Sequence, residues 1–283
     1  MLTGVAGLFV SAVTMGLIYA LVASGFSLIF GIARVFFLAH SEIYMLGAVG
    51  GVYLIQEVGI PYFLALLIVM FFSGAFGLLV ERFLRPLHGE ELPTLITSIA
   101  LGILISHSAL FIFGRESKGV IFPFQGAINL FGASLTIEKL AVSCISVAIL
   151  VGLHFFCQRT KVGQSIRAVS QDKEAAMLQG IDPNYSQALT FAIAFVAAGA
   201  AGILVAPIFF VDVFLGEASL GTMLFVVILG GLGSFPGAIA GGLTLGFINS
   251  FGSYFIGHFA ELLGFVAVIV ILSVMPRGLM GRE

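Results

Sequence analysis

Apolar segments follow one another along almost the whole chain, near 5–23, 24–38, 41–56, 61–81, 93–113, 139–157, 186–206, 219–234, 236–256 and 258–275. About 20 apolar residues cross a bilayer as a helix, and a spanning segment has to satisfy its backbone polar groups internally. Ten such runs within 283 residues point to an all-α, polytopic membrane protein. About eight to ten transmembrane helices are expected, interrupted helices included. The second and eighth runs are short, the length of a half-helix. Charged residues make up 9% of the chain, against roughly 25% in an ordinary soluble domain. A soluble fold has no way to bury the 60% that is hydrophobic, and the remainder would aggregate. A soluble enzyme, a disordered tail and a nucleic-acid binder are therefore excluded. A net charge of −2 supplies no field to attract nucleic acid or an anionic substrate.

Three polar stretches interrupt the runs, at 81–91, 114–139 and 158–187. The second contains Gly119 to Phe124 and Ile128 to Phe131, two short runs that read as the arms of a small surface hairpin. No Pro/Ser-rich linker divides the chain, so residues 1–283 are read as one transmembrane domain. If all ten segments cross and the 158–187 loop is cytoplasmic, the inner side carries Arg34, Arg82, Arg85, Arg159, Lys161, Arg167, Lys173, Arg277 and Arg282. The outer side carries Arg115, Lys118 and Lys139. That distribution follows the positive-inside rule and predicts both termini in the cytoplasm. Cys144 and Cys157 lie in one apolar segment, about 20 Å apart along a helix, too far for a mutual disulfide.

Several chemistries are missing. No GxxxxGK[ST] loop is present, and Gly-Lys occurs nowhere, so no cofactor is expected in this chain and ATP phosphates would be held elsewhere. HExxH, GxSxG and a metal-spaced Cys/His cluster are also absent. An energised function therefore needs another subunit.

Polar groups that remain inside apolar segments are few. Arg34, His40 and Glu42 flank a break between two apolar halves, where a charge costs about 2.5–3.5 kcal/mol on insertion scales. Three roles are open to them: snorkelling at an interfacial break, a structural pairing of Glu42 with Arg34 or a helix-start amide, and direct lining of a substrate path. Thr97, Ser98 and Asn249 offer neutral polar groups on later segments. A weak internal repeat relates Phe37 to Glu42, followed by Gly47, Gly50 and Gly51, to Ile228 to Gly233, followed by Gly237, Gly241 and Gly242. Interrupted segments at matching positions point to a transporter's substrate site. Asp212, Glu217 and Glu116 fall in predicted outer loops.

One string carries more than its composition. Arg159 to Asp182 resembles the cytoplasmic coupling loop of ABC importer permeases for branched-chain and neutral amino acids. Gly16 to Leu21, Gly25 to Gly31, Ala39 to Ala48, Leu229 to Ala238 and Pro276 to Gly281 resemble the same family, in order along the chain. The sequence departs from the family pattern at Phe37, where Asn is usual, and at Ser41, where Gly is usual.

The resemblance implies a permease that is not itself an enzyme, in a bacterial-type inner membrane. Two ATP-binding subunits would hold ATP and magnesium. A second homologous permease would complete the pore, and an extracytoplasmic solute-binding protein would deliver the solute. It makes 158–185 a cytoplasmic coupling loop and 114–138 an extracytoplasmic loop. In the loop, Gly163 permits a sharp entry from the preceding span, and Gln164 to Ser170 form a short helix that includes Ser165, Arg167 and Ala168. Asp172 caps a second helix with Ala175 and Ala176, and Gly180 ends it. Around the break, Ala39, His40, Ser41 and Glu42, with Thr97, Ser98, Gly230, Gly231, Gly233 and Asn249, are the expected substrate pathway. A urea or short-amide importer is the nearest alternative. A stand-alone secondary transporter or channel lacks the usual intramembrane acid relay, with Glu42 its one good candidate. An intramembrane enzyme lacks paired acids within the spans, and neighbouring Ser106, His107 and Ser108 do not face one another on a helix.

Overall fold

The structure, a computed structural model, describes residues 2–124, 126–130, 133–275 and 278–280. Phe131, Arg277 and Arg282 lie outside the described residues. The first helix, α1 (Leu2–Ala33), is continuous for 32 residues and runs through the junction expected between 23 and 24. Ser24 and Gly25 look like a breaking pair but serve packing. Ser24 Oγ bonds the Leu21 carbonyl at 2.8 Å. A Cβ on Gly25 would stand 2.7 Å from the Ala194 carbonyl oxygen and 3.0 Å from the His40 ring. The first two apolar segments are therefore one crossing, and the ten-crossing arrangement is corrected.

The helices that follow are α2 (His40–Gln56), α3 (Tyr62–Leu84), α4 (Glu91–Phe113), α5 (Ile137–Arg159), α6 (Lys161–Gln171), α7 (Lys173–Leu178), α8 (Pro183–Val205), α9 (Leu215–Gly230), α10 (Phe235–Ile256) and α11 (Ala260–Val274). Among the described residues, six helices are long and apolar enough to cross a membrane: most of α1, then α3, α4, α5, α8 and α10. Apolar helices α9 and α11 are shorter, and α2 has 17 residues. The protein is thus an all-α polytopic membrane protein that includes helices too short to span alone.

Small residues decide where the helices meet. The enclosed helix α8 carries an Ala/Gly run from Ala197 to Gly202, and each of these residues is buried. Across it, a Cβ on Gly47 of α2 would fall 2.6 Å from the Gly199 Cα, and one on Gly77 of α3 would fall 2.9 Å from the Ala192 Cα. Helix α1 meets α10 in the same way: a Cβ on Gly242 would lie 2.6 Å from the Ala20 nitrogen. Lipid gives no hydrophobic drive between apolar helices, so close backbone approach and its dispersion contacts supply the association.

Side-chain contacts fix the two ends of the bundle. Near the start of α1, Thr14 Oγ1 lies 2.8 Å from Ser143 Oγ, and Lys139 Nζ donates to Ser11 Oγ at 2.8 Å, both at the start of α5. Near its end, Ser27 and Gly31 share a cavity with Gln158 of α5, Arg167 of α6 and Met280. The backbone of Leu279 and Met280 bonds the carbonyls of Leu229 and Gly230 at 2.8 and 3.0 Å. The N-terminal part of α1 and the segment 278–280 therefore occupy opposite ends of the bundle. Residues 1–33 contain no Lys or Arg, so a charge count could not register the side on which the chain begins.

A hairpin forms in the 114–138 stretch: the expected arm from Ile128 falls in its first strand, but the Gly119–Phe124 run is not its partner. Strand β1 (Ala127–Leu130) pairs antiparallel with β2 (Ala133–Thr136), Ala127 opposite Thr136. The Gly119–Phe124 run is taken up otherwise. Val120 and Phe122 are buried, the Phe122 ring lies edge-on to Tyr62 at 4.9 Å, and Lys118 forms an isolated antiparallel bridge to Val211. Apolar burial outweighs strand pairing there.

Candidate translocation site and coupling elements

Helix α2 begins inside the bundle. Its N-cap, Ala39, has no side-chain cap, and the link before it turns through Arg34 at φ 52°. At the other end, Gln56 Nε2 donates to the Gly119 carbonyl at 2.6 Å. Fourteen residues separate Glu42 from Gln56, about 21 Å of helical rise. Glu42 therefore lies deep relative to the hairpin end, within an apolar layer about 30 Å thick.

The break gathers some of the expected residues. His40 is fully buried, with Nε2 3.2 Å from the Val22 carbonyl oxygen and its ring beside Phe26 and Phe195. Ser41 Oγ donates to the Leu38 carbonyl at 3.3 Å. Ser98 of α4 reaches the same place: its hydroxyl accepts from the Leu38 amide at 3.3 Å and donates to the Leu95 carbonyl at 2.8 Å. Gly102, one turn on, leaves room for Ala39 and the Glu42 side chain, each within 3.7 Å of a Cβ built there. Thr97 is half-buried and sits about 100° round the helix from Ser98.

Glu42 is 7% exposed. Its Oε2 is buried without a hydrogen-bond partner, and among the described residues no ion pair reaches it. The pairing with Arg34 does not form. The carboxyl group lies instead against the first turn of α9, where a Cβ on Gly216 would fall 2.6 Å from its carboxyl carbon.

The other expected pathway residues lie elsewhere. Gly230, Gly231 and Gly233 form the turn between α9 and α10. Gly231 and Gly233 take φ 103° and 75°, a region open to glycine at little cost. A Cβ on Gly233 would meet Gly31 Cα at 3.5 Å, so this turn sits at the α6 end of the bundle, away from His40. Asn249 faces a separate cavity of about 100 Å³ between α9, α10 and α11, where its Oδ1 is buried and unpaired. The two glycine-lined breaks share a packing device but not a location. On α2, Ile43, Leu46 and Gly50 face an apolar groove of about 510 Å³ bordered by α3 and α4.

At the α6 end, the chain builds two short helices. Thr160 caps α6 through its hydroxyl, which accepts from the Gly163 amide at 3.0 Å. A Cβ on Gly163 would lie 2.6 Å from the Cys157 carbonyl carbon, so only glycine lets α6 fold back so tightly on α5. Gly163, Ile166 and Val169 are buried at i, i+3 and i+6, while Lys161, Gln164, Arg167 and Gln171 are exposed. Ser165 and Ala168 are half-buried between them. Helix α6 starts three residues earlier than expected because Thr160, not Gln164, sets its first turn. Asp172 Oδ1 accepts from the amides of Glu174 and Ala175 at 2.9 and 3.0 Å. Ala176 is buried and Ala175 exposed. Gly180, at φ 79°, ends the turn, and Pro183 opens α8 behind its cap Asp182.

One feature escaped the sequence reading. Glu81 of α3 is fully buried and accepts from Arg85 Nε and NH2 at 3.3 and 3.0 Å. His88 Nε2 stands 3.8 Å from Glu81 Oε1. Burial lowers the His88 pKa from its ordinary value, opposed by the Glu81 carboxylate, with Asn184 and Lys173 within electrostatic reach. The cluster ties the end of α3 to the α7–α8 junction. The signal was present in the i, i+4 spacing of Glu81 and Arg85, but the stretch reads as a solvated loop until α3 is seen to extend through it.

Comparison with known proteins gives this geometry a lineage. Residues 8–275 match the family model described as branched-chain amino acid transport system / permease component. The high-affinity branched-chain amino acid transport system permease protein BraD of Pseudomonas aeruginosa is 28% identical over 96% of this chain and 94% of its own length. The corresponding LivH proteins of Salmonella typhimurium and Escherichia coli K12 are 29% and 28% identical over the same shares. A solved structure, PsaBC from Streptococcus pneumoniae in complex with Fab, overlays with a TM-score of 0.47 at 12% identity, covering 93% of this chain and 90% of that one; an overlay that loose does not bear on the fold. With the family model spanning nearly its whole length, this chain belongs to the branched-chain amino acid transport permease family.

Proposed function

We propose that the chain is a membrane-spanning subunit of an ABC importer that carries branched-chain or similar neutral amino acids inward. The observation that carries this reading is the α6–α7 pair in a chain of this family. Two short helices project at one end, held by a buried face of Gly163, Ile166 and Val169, and expose Lys161, Gln164, Arg167 and Gln171. A rigid, polar-faced knob of this kind suits docking into a groove of a partner and following its motion. Two ATP-binding subunits, with ATP and magnesium, would grip such knobs from the cytoplasm. A second homologous permease would close the pore, and a solute-binding protein would dock at the hairpin end. In this arrangement α6 and α7 face the cytoplasm of a bacterial-type inner membrane, and the start of α1 faces outward. The break around His40, Ser41, Glu42 and Ser98 supplies the pathway, with Gly230, Gly231 and Gly233 nearer its inner mouth.

The test is uptake of radiolabelled leucine into proteoliposomes that hold the chain with its ATP-binding subunits, permease partner and solute receptor. ATP-dependent accumulation of leucine but not urea is expected. Accumulation of leucine by the isolated chain on an ion gradient would refute the reading.

A further inference from the structure

We infer that Glu42 holds the cationic amino group of the solute during its passage. The inference rests on the transport function proposed above and adds the chemistry of one contact. The carboxyl group is 7% exposed, and its Oε2 has no partner. A buried carboxylate with neither cation nor full hydrogen bonding costs several kcal/mol and is ordinarily compensated. Among the described residues no ion pair reaches Glu42, and Oε2 has no hydrogen-bond partner. The three ion pairs there involve Glu81 and Glu57 only. His40, two residues away, turns its ring toward Val22, Phe26 and Phe195.

The surroundings are arranged to seat an acid. Gly216 and Gly102 present no side chain to the Glu42 side chain, and the first turn of α9 sets its positive dipole end beside it. Glu217, the next residue, is exposed and close enough to act on Glu42 electrostatically. Burial and a neighbouring carboxylate both favour neutralising Glu42, by a proton or, from a ligand, by a cation. A zwitterionic amino acid brings one, and its ammonium must find a counter-charge once it leaves water. Because the contact forms with one charge-assisted bond and the ligand has to leave again, the site is weak by design.

The experiment uses the complete assembly in detergent and in proteoliposomes. Thermal stabilisation of the receptor-free assembly is measured with millimolar 3-methylbutylamine, which has the cation alone, and with 4-methylpentanoate, which has the anion alone. Stabilisation by the amine and not by the carboxylate is expected; the reverse, or equal effects, overturns the inference. Glu42→Gln keeps the shape and hydrogen bonding of a protonated acid but carries no charge. It should abolish the amine effect and lower leucine uptake about tenfold, the scale of one charge-assisted bond. Glu42→Asp should retain part of both. Wild-type uptake in Glu42→Gln would show that a neutral group suffices and would overturn the inference. If Glu42→Gln does not assemble, Glu42→Asp decides: an amine effect and uptake equal to the wild type would overturn the inference. If the wild-type assembly takes up no leucine, the substrate reading fails, while loss of the amine effect in Glu42→Gln still judges Glu42.

Discussion

Replacing Gly47 with Ala probes the contact that positions α2. A Cβ there would stand 2.6 Å from Gly199 Cα and would also overlap the Gly199 carbonyl, and both partners are backbone that cannot rotate away. Overpacking of this kind costs about 1–3 kcal/mol. Gly50 lies on the same helix, and a Cβ there meets nothing within 4 Å. Both substitutions gain the same helix-propensity term, about 0.8–1.0 kcal/mol for Ala over Gly. That term cancels between them, so the difference in stability isolates the overpacking cost. Gly47→Ala should lose up to about 2 kcal/mol net, and Gly50→Ala should gain up to about 1 kcal/mol. Thermal unfolding of the assembly in one detergent, monitored by a thiol-reactive dye or light scattering, measures the separation. Uptake gives a second readout, because Glu42 sits in the first turn of the same helix. Gly47→Ala should lower uptake and Gly50→Ala should not. Equal unfolding temperatures for the two variants would show that the glycine is not there for close approach to α8.

Other changes test the remaining parts. Gly163→Leu drives a side chain into the Cys157 carbonyl and should leave a membrane-inserted protein whose partner ATPases hydrolyse ATP without uptake; Ala168→Trp should do the same, read as the ratio of leucine accumulated to ATP hydrolysed. Arg85→Ala leaves the buried Glu81 carboxylate without its cation and should destabilise more than Glu81→Gln, with the double variant less harmed than the two singles combined, as a double-mutant cycle in thermal unfolding would measure. The His88 pKa is lowered chiefly by burial, so the unfolded chain binds a proton there more readily than the folded one. This contribution to stability is therefore full above the unfolded value of about 6.5 and is lost as pH falls below it. Wild-type unfolding temperature should drop more between pH 7.5 and pH 5.5 (about these values) than that of His88→Gln.

Most of the fold was readable because bilayer physics leaves few choices. Apolar runs became helices, and the cap at Asp172, the glycine stop at Gly180 and the proline start at Pro183 lie where local backbone rules put them. Misreadings arose where tertiary contact overrode local signals. Ser24 and Gly25 look like a break, yet Gly25 is an interface glycine inside α1. Val120 and Phe122 look like a strand, yet they are core. Of the candidate pathway residues, His40, Glu42 and Ser98 lie at one break, Gly231 and Gly233 form a turn at the α6 end, and Asn249 faces another cavity; sequence shows that a glycine is needed but not which backbone it lets approach. The Gly216 seat for Glu42 had no sequence signal at all: it is one glycine at the start of a short apolar helix.

The central claim is that a partner ATPase moves this bundle through α6 and α7. Single cysteines at Gln171 and Leu178, both exposed, in a chain with Cys144 and Cys157 replaced by Ser, test it directly by crosslinking within the purified assembly. Crosslinks to the ATP-binding subunit that change between nucleotide-free and ATP-bound states are predicted. Crosslinks to the external solute receptor instead, or labelling of these positions in intact cells by a membrane-impermeant reagent, would contradict it.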